Sequence, residues 1–286
     1  MFNALTAFFC MALFGVFVKA ASLAGGSSLT INFTVYLGAT LLTLPYMIKQ
    51  GKEFFKTEYF LYHFLRAAFG VLASFLYLFS LRYIPLVNAT LLFNTAPIFI
   101  PILGLFILNE KVSPKCWLAV FLGLIGIAII IHPNKNILSN PADLIGLASG
   151  FSLAVAYVYI KKLTPTDPPA RILFYFFTLA TLLQLPFLAN CAAMPAEQSF
   201  LWAILGCVVF ALAQMYLVKA YEVSSAAQVG IFQYSTVVFV GLIDWVVWGA
   251  VPPLLDIAGI ALVAIAGTMA IRSGHPTILK NSPQGD

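Results

Sequence analysis

Residues 66–130 read RAAFGVLASFLYLFSLRYIPLVNATLLFNTAPIFIPILGLFILNEKVSPKCWLAVFLGLIGIAII. Three apolar runs follow one another here, parted only by SLRYIP and NEKVSPK. A helix needs about 20 apolar residues to cross the hydrocarbon core of a bilayer, and each run supplies them. The same rhythm extends outward in both directions, from Phe2 to Arg272. Over all 286 residues, 62% are hydrophobic and 9% charged. A water-soluble domain carries roughly 25% charged residues, so this surface is made for lipid. At roughly 28 residues per span and connection, the length accommodates ten spans.

The spans are expected at residues 3–21, 29–48, 62–83, 86–108, 116–131, 144–160, 172–189, 200–218, 226–248 and 256–271. No basic stretch precedes the first apolar run, so it is expected to be retained rather than cleaved as a signal. With a cytoplasmic N-terminus, the cytoplasmic side carries Lys49, Lys52, Lys56, Arg66, Lys111, Lys115, Lys161, Lys162, Arg171, Lys219, Arg272 and Lys280. Lys19, Arg82 and Lys135 fall on the other side, so twelve of the 15 basic residues lie inside. That bias orients the chain, with both termini cytoplasmic. It also accounts for the net charge of +5 without a nucleic-acid partner.

Five spans per half is an odd number, so a duplicated half must insert upside down. Equivalent loops should then exchange charge character, and they do. KQGKEFFK (49–56) matches uncharged-to-acidic NCAAMPAEQ (190–198), KKLTPTDPPAR (161–171) matches SLAGGSSLT (22–30), and NEKVSPK (109–115) matches GAVPPLLD (249–256). Direct similarity appears at an offset of 140, where SLRYIPLVNATLLFNTAPIFI (80–100) aligns with AYEVSSAAQVGIFQYSTVVFV (220–240). Asn88 meets Gln228, Thr95 meets Ser235, and Phe99 meets Phe239. The expected fold is an all-α membrane protein of ten transmembrane helices in two inverted five-helix repeats, 1–135 and 142–272. Residues 273–286, polar and rich in Pro and Gly, are expected to form a disordered cytoplasmic tail.

The opening stretch and AYEVSSAAQVGIFQYSTVVFVGLIDWVVWGAVPPLLDIAGIALVAIAG (220–267) together resemble the EamA family of the drug/metabolite transporter superfamily. The likeness lies in an Arg opening the third span, a TAPIF-like fourth, a Glu-Lys pair closing it and a glycine-rich fifth, answered by the eighth to tenth spans. It implies alternating access and the export or uptake of metabolites, such as amino acids or amine-bearing compounds including S-adenosylmethionine. Two positions depart from the family pattern. The second half has Ala250 where a counterpart of Glu110 would stand, and Phe14 occupies a place where Trp is common.

Polar groups inside hydrocarbon are costly unless paired or facing a wet cavity, so they mark candidate solute contacts. Asp244, in GLIDWVVWG, is either a substrate or proton site or an interfacial carboxylate beside Trp245 and Trp248. Lys19 either snorkels to the interface or meets an anionic group on the path. Arg66, near the cytoplasmic start of its span, reads as an interfacial anchor. Deeper lie Asn94, Tyr77, Tyr157, Gln214, Gln233 and Tyr234. Asn94 and Gln233 are related by the repeat to within one residue, so paired amides could offer donors and acceptors to one solute near the midplane. Pro97 and Pro101 promise a hinge or a static kink in the fourth span. The glycine sets GLIGIAII, GLASG and GIALVAIAG promise close helix packing and a candidate homodimer seam.

Enzyme chemistry finds little in this chain. HExxH, P-loop and paired-carboxylate motifs are absent from the sequence, and the four cysteines show no metal-ligand spacing. His63, His132 and His275 have no acid beside them along the chain. No cofactor is implied. Energy for transport would come from a coupled proton or an exchange solute. The reading is a secondary carrier of a small metabolite in the inner membrane, with the lipid bilayer as its surroundings. The alternatives are a non-transporting scaffold or lipid-handling protein and, behind it, an intramembrane enzyme.

Overall fold

The computed structural model describes residues 1–133, 140–188, 197–249, 253–273 and 277–278. Ten helical spans occur among them. The first three are α1 (Phe2–Leu23), α2 (Ser28–Gln50) and α3 (Phe60–Ser80). The fourth is broken into α4 (Leu86–Phe93) and α5 (Ala96–Ile107). The next four are α6 (Pro114–Ile131), α7 (Pro141–Leu163), α8 (Pro169–Leu188) and α9 (Glu197–Val223). The ninth comprises α10 (Ala226–Ile231), a 3-10 turn at Phe232–Tyr234 and α11 (Ser235–Trp248), and α12 (Leu254–Arg272) is the tenth.

Several helices begin earlier than their apolar runs. Proline is the reason in three of them. Pro114, Pro141 and Pro169 each open a helix, where the missing N–H costs nothing and the fixed φ suits the first turn. Ser113 and Asn140 cap the first two, accepting from the N–H of Cys116 and Ala142. Asp143 closes a capping box by accepting from the Asn140 N–H at 3.0 Å.

Packing follows the repeat. The first span lies against the eighth, and the sixth against the third. The second packs on the seventh, the fourth on the ninth and the fifth on the tenth. Exchanging the two halves maps each of these pairs onto another or onto itself, as a two-fold relation between repeats requires. Many large apolar side chains face outward, among them Leu41, Phe106, Leu118 and Ile125, which suits a surface solvated by lipid.

Glycine sets the closest approaches, and it does so within the chain. A methyl group at Gly126 would stand 2.8 Å from the Gly259 carbonyl oxygen, and one at Gly259 2.6 Å from that of Gly126. Gly126 and Gly259 thus join the fifth span to the tenth. Gly150 in α7 lies against the break of the fourth span. A methyl there would be 2.6 Å from Leu92 O and 2.7 Å from Thr95 Oγ1.

The break itself falls at Asn94–Thr95 rather than at either proline. Pro97 is the second residue of α5, and Pro101 sits inside that helix without ending it. Beyond the tenth span, Thr277 and Ile278 pair antiparallel with Lys111 and Glu110. Ser273, the first residue of the expected disordered tail, accepts from Ser113 Oγ at 3.4 Å, while residues 274–276 and 279–286 lie outside the described residues, as do Lys135 and Ala250.

Because Gly150 meets backbone rather than a movable side-chain tip, Gly150→Ala should destabilise the protein by about 1–3 kcal/mol. Gly15→Ala, whose added methyl meets nothing within 4 Å, should be neutral or slightly stabilising in the same detergent-solubilised thermal melts.

Candidate functional site

The fourth and ninth spans are interrupted at repeat-related positions. Interrupting a helix in hydrocarbon frees backbone groups that need other partners. In the fourth span the turn keeps two backbone bonds, Asn94 N–H to Thr90 O at 3.0 Å and Thr95 N–H to Leu92 O at 3.1 Å, and side chains bond to the same two carbonyls. Thr95 Oγ1 donates to Leu92 O at 2.5 Å, and Asn94 Nδ2 donates to Thr90 O at 2.9 Å. In the ninth, the 3-10 turn tightens the backbone, and Ser235 Oγ donates to Phe232 O at 2.6 Å. The two breaks meet through their amides, with Gln233 Nε2 donating to Asn94 Oδ1 at 3.4 Å. The other oxygen, Gln233 Oε1, is buried without a hydrogen-bond partner.

This amide pair lies on the wall of a cavity of about 570 Å³ between the halves, a size suited to a small organic ligand. Aromatic rings form much of that wall. Tyr36 stands edge-on to Phe176 and Phe210, with centroids 5.6 and 5.3 Å apart, and Phe14 tilts against Phe210 at 4.8 Å. The cavity reaches Leu86 and Ile131, which are the first residue of the fourth span and the last of the fifth.

Toward the opposite end the wall includes Arg66, only 1% exposed. One guanidinium nitrogen donates to Ile172 O at 2.9 Å and another to Gln214 Oε1 at 3.1 Å, while the plane lies 4.1 Å over the Phe176 ring. This corrects the expectation of an interfacial anchor. Arg66 points into the bundle, and the seventh and eighth spans hold it there.

Four of the eight residues singled out from the sequence line the cavity: Asn94, Tyr157, Gln214 and Gln233. Three others lie off the wall. Tyr77 is within hydrogen-bond distance of Thr90 Oγ1 at 3.1 Å and so stands behind it. Tyr234 is fully buried, its ring set against Gly123 of the fifth span. Lys19 is exposed on the first span, as a snorkelling side chain would be. Asp244 belongs to α11, and its side chain lies outside what the structure describes. Reading the sequence missed Arg66, Tyr36 and Thr236 as wall residues. For Arg66 a signal was present, since it is a cation one and a half turns inside an apolar helix.

The end of the bundle that carries the basic loops is tied shut. Lys161 Nζ donates to Tyr221 O and Lys162 Nζ to Ile107 O, both at 2.8 Å. These carbonyls lie in the last turn of the eighth and fourth spans, where a cation also suits the helix dipole. Glu110 Oε2 accepts from the Ala226 N–H at 3.2 Å, at the start of the ninth span. Burial pushes the Glu110 carboxyl above its usual range, an effect moderated by that N–H and by Lys161. Beside this clasp, Asp167 holds Arg171 at 2.9 Å and sits 3.6 Å from His63, and Arg171 Nε donates to Phe54 O at 2.8 Å. At the opposite end His132 lies 2.9 Å from Asp256. Two histidines thus have acids beside them that their chain neighbours do not reveal.

The EamA-like transporter family model matches this chain twice, at residues 1–132 and 140–272. A riboflavin transporter of Vibrio cholerae is 31% identical over 92% of this chain and 89% of its own. A pseudopaline exporter of Pseudomonas aeruginosa is 27% identical over 92% of each. An S-adenosylmethionine uptake transporter of Rickettsia prowazekii is 24% identical over 85% of this chain and 82% of its own. One crystal structure superposes with a TM-score of 0.78 over 94% of both chains at 16% identity, a likeness of fold.

Glu110→Ala removes the acceptor of the Ala226 N–H. Hydrogen–deuterium exchange in peptides spanning 221–228 should then quicken roughly tenfold, the equivalent of about 1.4 kcal/mol of local protection. Peptides of the fifth span should be unchanged.

Proposed function

Because the chain belongs to the EamA-like transporter family, it is a multi-pass membrane transporter of a small metabolite, and we propose that the cargo binds between its halves against the Asn94–Gln233 pair. The observation that carries this reading is the meeting of two interrupted spans, one from each repeat, at unsatisfied amide oxygen on a cavity wall. Carriers of inverted-repeat design put their sites at such breaks, near the midplane and on the seam between halves. Breaks there also let each half rock without dragging a rigid rod through the bilayer.

Both amides line the cavity. Asn94 Oδ1 already accepts from Gln233, and Gln233 Oε1 is buried without a partner, so a turn of the Gln233 side chain toward a cargo N–H or ammonium would complete the set. An amino acid or another amine-bearing metabolite has that group. The ring-lined wall suits a flat or apolar body, and the relatives named for riboflavin and S-adenosylmethionine accord with cargoes of such size.

In our reading the protein lies in the inner membrane with both termini cytoplasmic, in accord with the bias of Lys and Arg. The basic end is then the cytoplasmic gate. Its closure by Lys161, Lys162 and Glu110, with a cavity reaching Leu86 and Ile131, corresponds to an outward-facing state. Turning inward requires those three contacts to part. A coupled proton or an exchanged solute supplies the energy.

Counterflow in proteoliposomes tests the reading. Vesicles preloaded with one compound from a panel of amino acids, S-adenosylmethionine and riboflavin should accumulate the same radiolabelled compound saturably. Asn94→Leu with Gln233→Leu should lower that uptake roughly tenfold or more, as expected for the loss of a hydrogen-bonding pair, with the melting temperature little changed. Undiminished uptake in the folded double variant would remove the amide pair from the path.

A further inference from the structure

Arg66 is a full positive charge with no carboxylate facing it among the described residues. Its two hydrogen-bond acceptors, Ile172 O and Gln214 Oε1, are neutral, and its Nε is buried with no partner at all. The titratable groups packed around it are Tyr36, Tyr157, Tyr221 and His63, which are neutral or cationic. Two acids at this end of the bundle are engaged elsewhere, Asp167 with Arg171 and His63, and Glu110 with the start of the ninth span. Buried charges in proteins are normally paired, because leaving one unpaired costs several kcal/mol. Yet this one is held in a defined pose on the cavity wall, its central carbon 4.1 Å over the Phe176 ring.

We infer that the missing counter-charge arrives with the cargo: Arg66 is the receptor for an oxyanion, a carboxylate or a phosphate ester, carried by the transported metabolite. The geometry suits that class. The two terminal nitrogens of Arg66 are held by Ile172 O and Gln214 Oε1, which fixes the plane of the fork, while the Nε–H beside them is buried with no partner and is the donor left for a planar oxyanion entering from the cavity. Tyr36 and Tyr157 share the cavity wall with Arg66. Rotation of their hydroxyls would let them donate to the same oxygens. Combined with the oxygen-rich amide pair, the site would select a cargo with an anion at one end, an N–H donor at the other and an apolar or flat body between. The inference rests on the central-site reading of the function, but it can be tested separately.

The test uses purified full-length protein and matched probes: 3-phenylpropionate, phenyl phosphate, 3-phenylpropionamide and 3-phenylpropylamine. The two anions should raise the melting temperature saturably, while the amide and the amine should not. Whichever anion acts at the lower concentration identifies the preferred head group. Arg66→Gln should abolish the shift. Arg66→Lys keeps the charge without the fork, so it should respond with affinity weakened about tenfold. Should Arg66→Gln not fold, the wild-type contrast between carboxylate and amide still decides. Equal protection by 3-phenylpropionate and 3-phenylpropionamide, no protection by either anion, or an undiminished anion response in Arg66→Gln overturns the proposal. Counterflow separates this from the transport reading. Saturable uptake of a panel compound that neither anion inhibits would sink the oxyanion site and leave the carrier standing. Anion-specific protection with no uptake of any panel compound would support the site and count against transport of that panel alone.

Discussion

Inside a bilayer every backbone N–H and C=O has to find a partner within the protein, since no water is there to take its place and each orphan costs several kcal/mol. That constraint forces continuous helices nearly everywhere in this chain, and it makes the two exceptions informative. The fourth span breaks at Asn94–Thr95 and the ninth at Phe232–Tyr234. Tight turns keep backbone N–H bonds to Thr90 O and Leu92 O in one break and to Phe232 O and Gln233 O in the other, and the side chains of Asn94, Thr95 and Ser235 add bonds to three of those carbonyls. Gly150, having no side chain, lets the sixth span close over one of them. Gln233 Oε1, beside the second break, is left buried without a hydrogen-bond partner.

The repeats share a scaffold but divide the chemistry unequally. At the offset of 140, Arg66 corresponds to Gly206, where a methyl would meet Phe17 and Phe14 rather than a polar group. Glu110 corresponds to Ala250. Lys161 and Lys162 correspond to Ala21 and Ser22. Every charged contact of the basic-end clasp therefore lacks a charged partner in the other half. The two ends of the bundle are thus held by different contacts: lysine and glutamate bonds to helix-end backbone at one, and the His132–Asp256 pair with helix packing at the other. In the proposed reading, a site with its cation on one side likewise gives the cargo a direction in which to lie.

Much of the fold was legible in the sequence because the bilayer imposes a length and a composition on each span. The expected spans and the observed ones coincide to within a few residues, and the larger errors have named causes. α6, α7 and α8 start on prolines that an apolar window leaves out, and α9 runs on to Val223 through Lys219 and Glu222. The amide pair was also legible, since the repeat relates Asn94 to Gln233. The role of Arg66 was not. In a soluble helix the apolar stripe reveals the inward face, but here lipid and core are both apolar, so periodicity does not say which way a side chain points. The same ambiguity hid Tyr36, and it let Tyr77 and Tyr234 pass for wall residues.

By itself, then, the sequence determined the number of spans, their order, the doubled architecture and the sidedness of charge, because these follow from hydrocarbon thickness and from where cations can be left in water. Only the tertiary structure decided which polar groups share a cavity, which end is clasped, and where the glycine faces are used. Those depend on how each helix is rotated about its axis. That rotation is set by close packing between spans, such as Gly126 on Gly259 and Gly150 on the fourth-span break, contacts between residues far apart in the chain whose pairing no local pattern encodes.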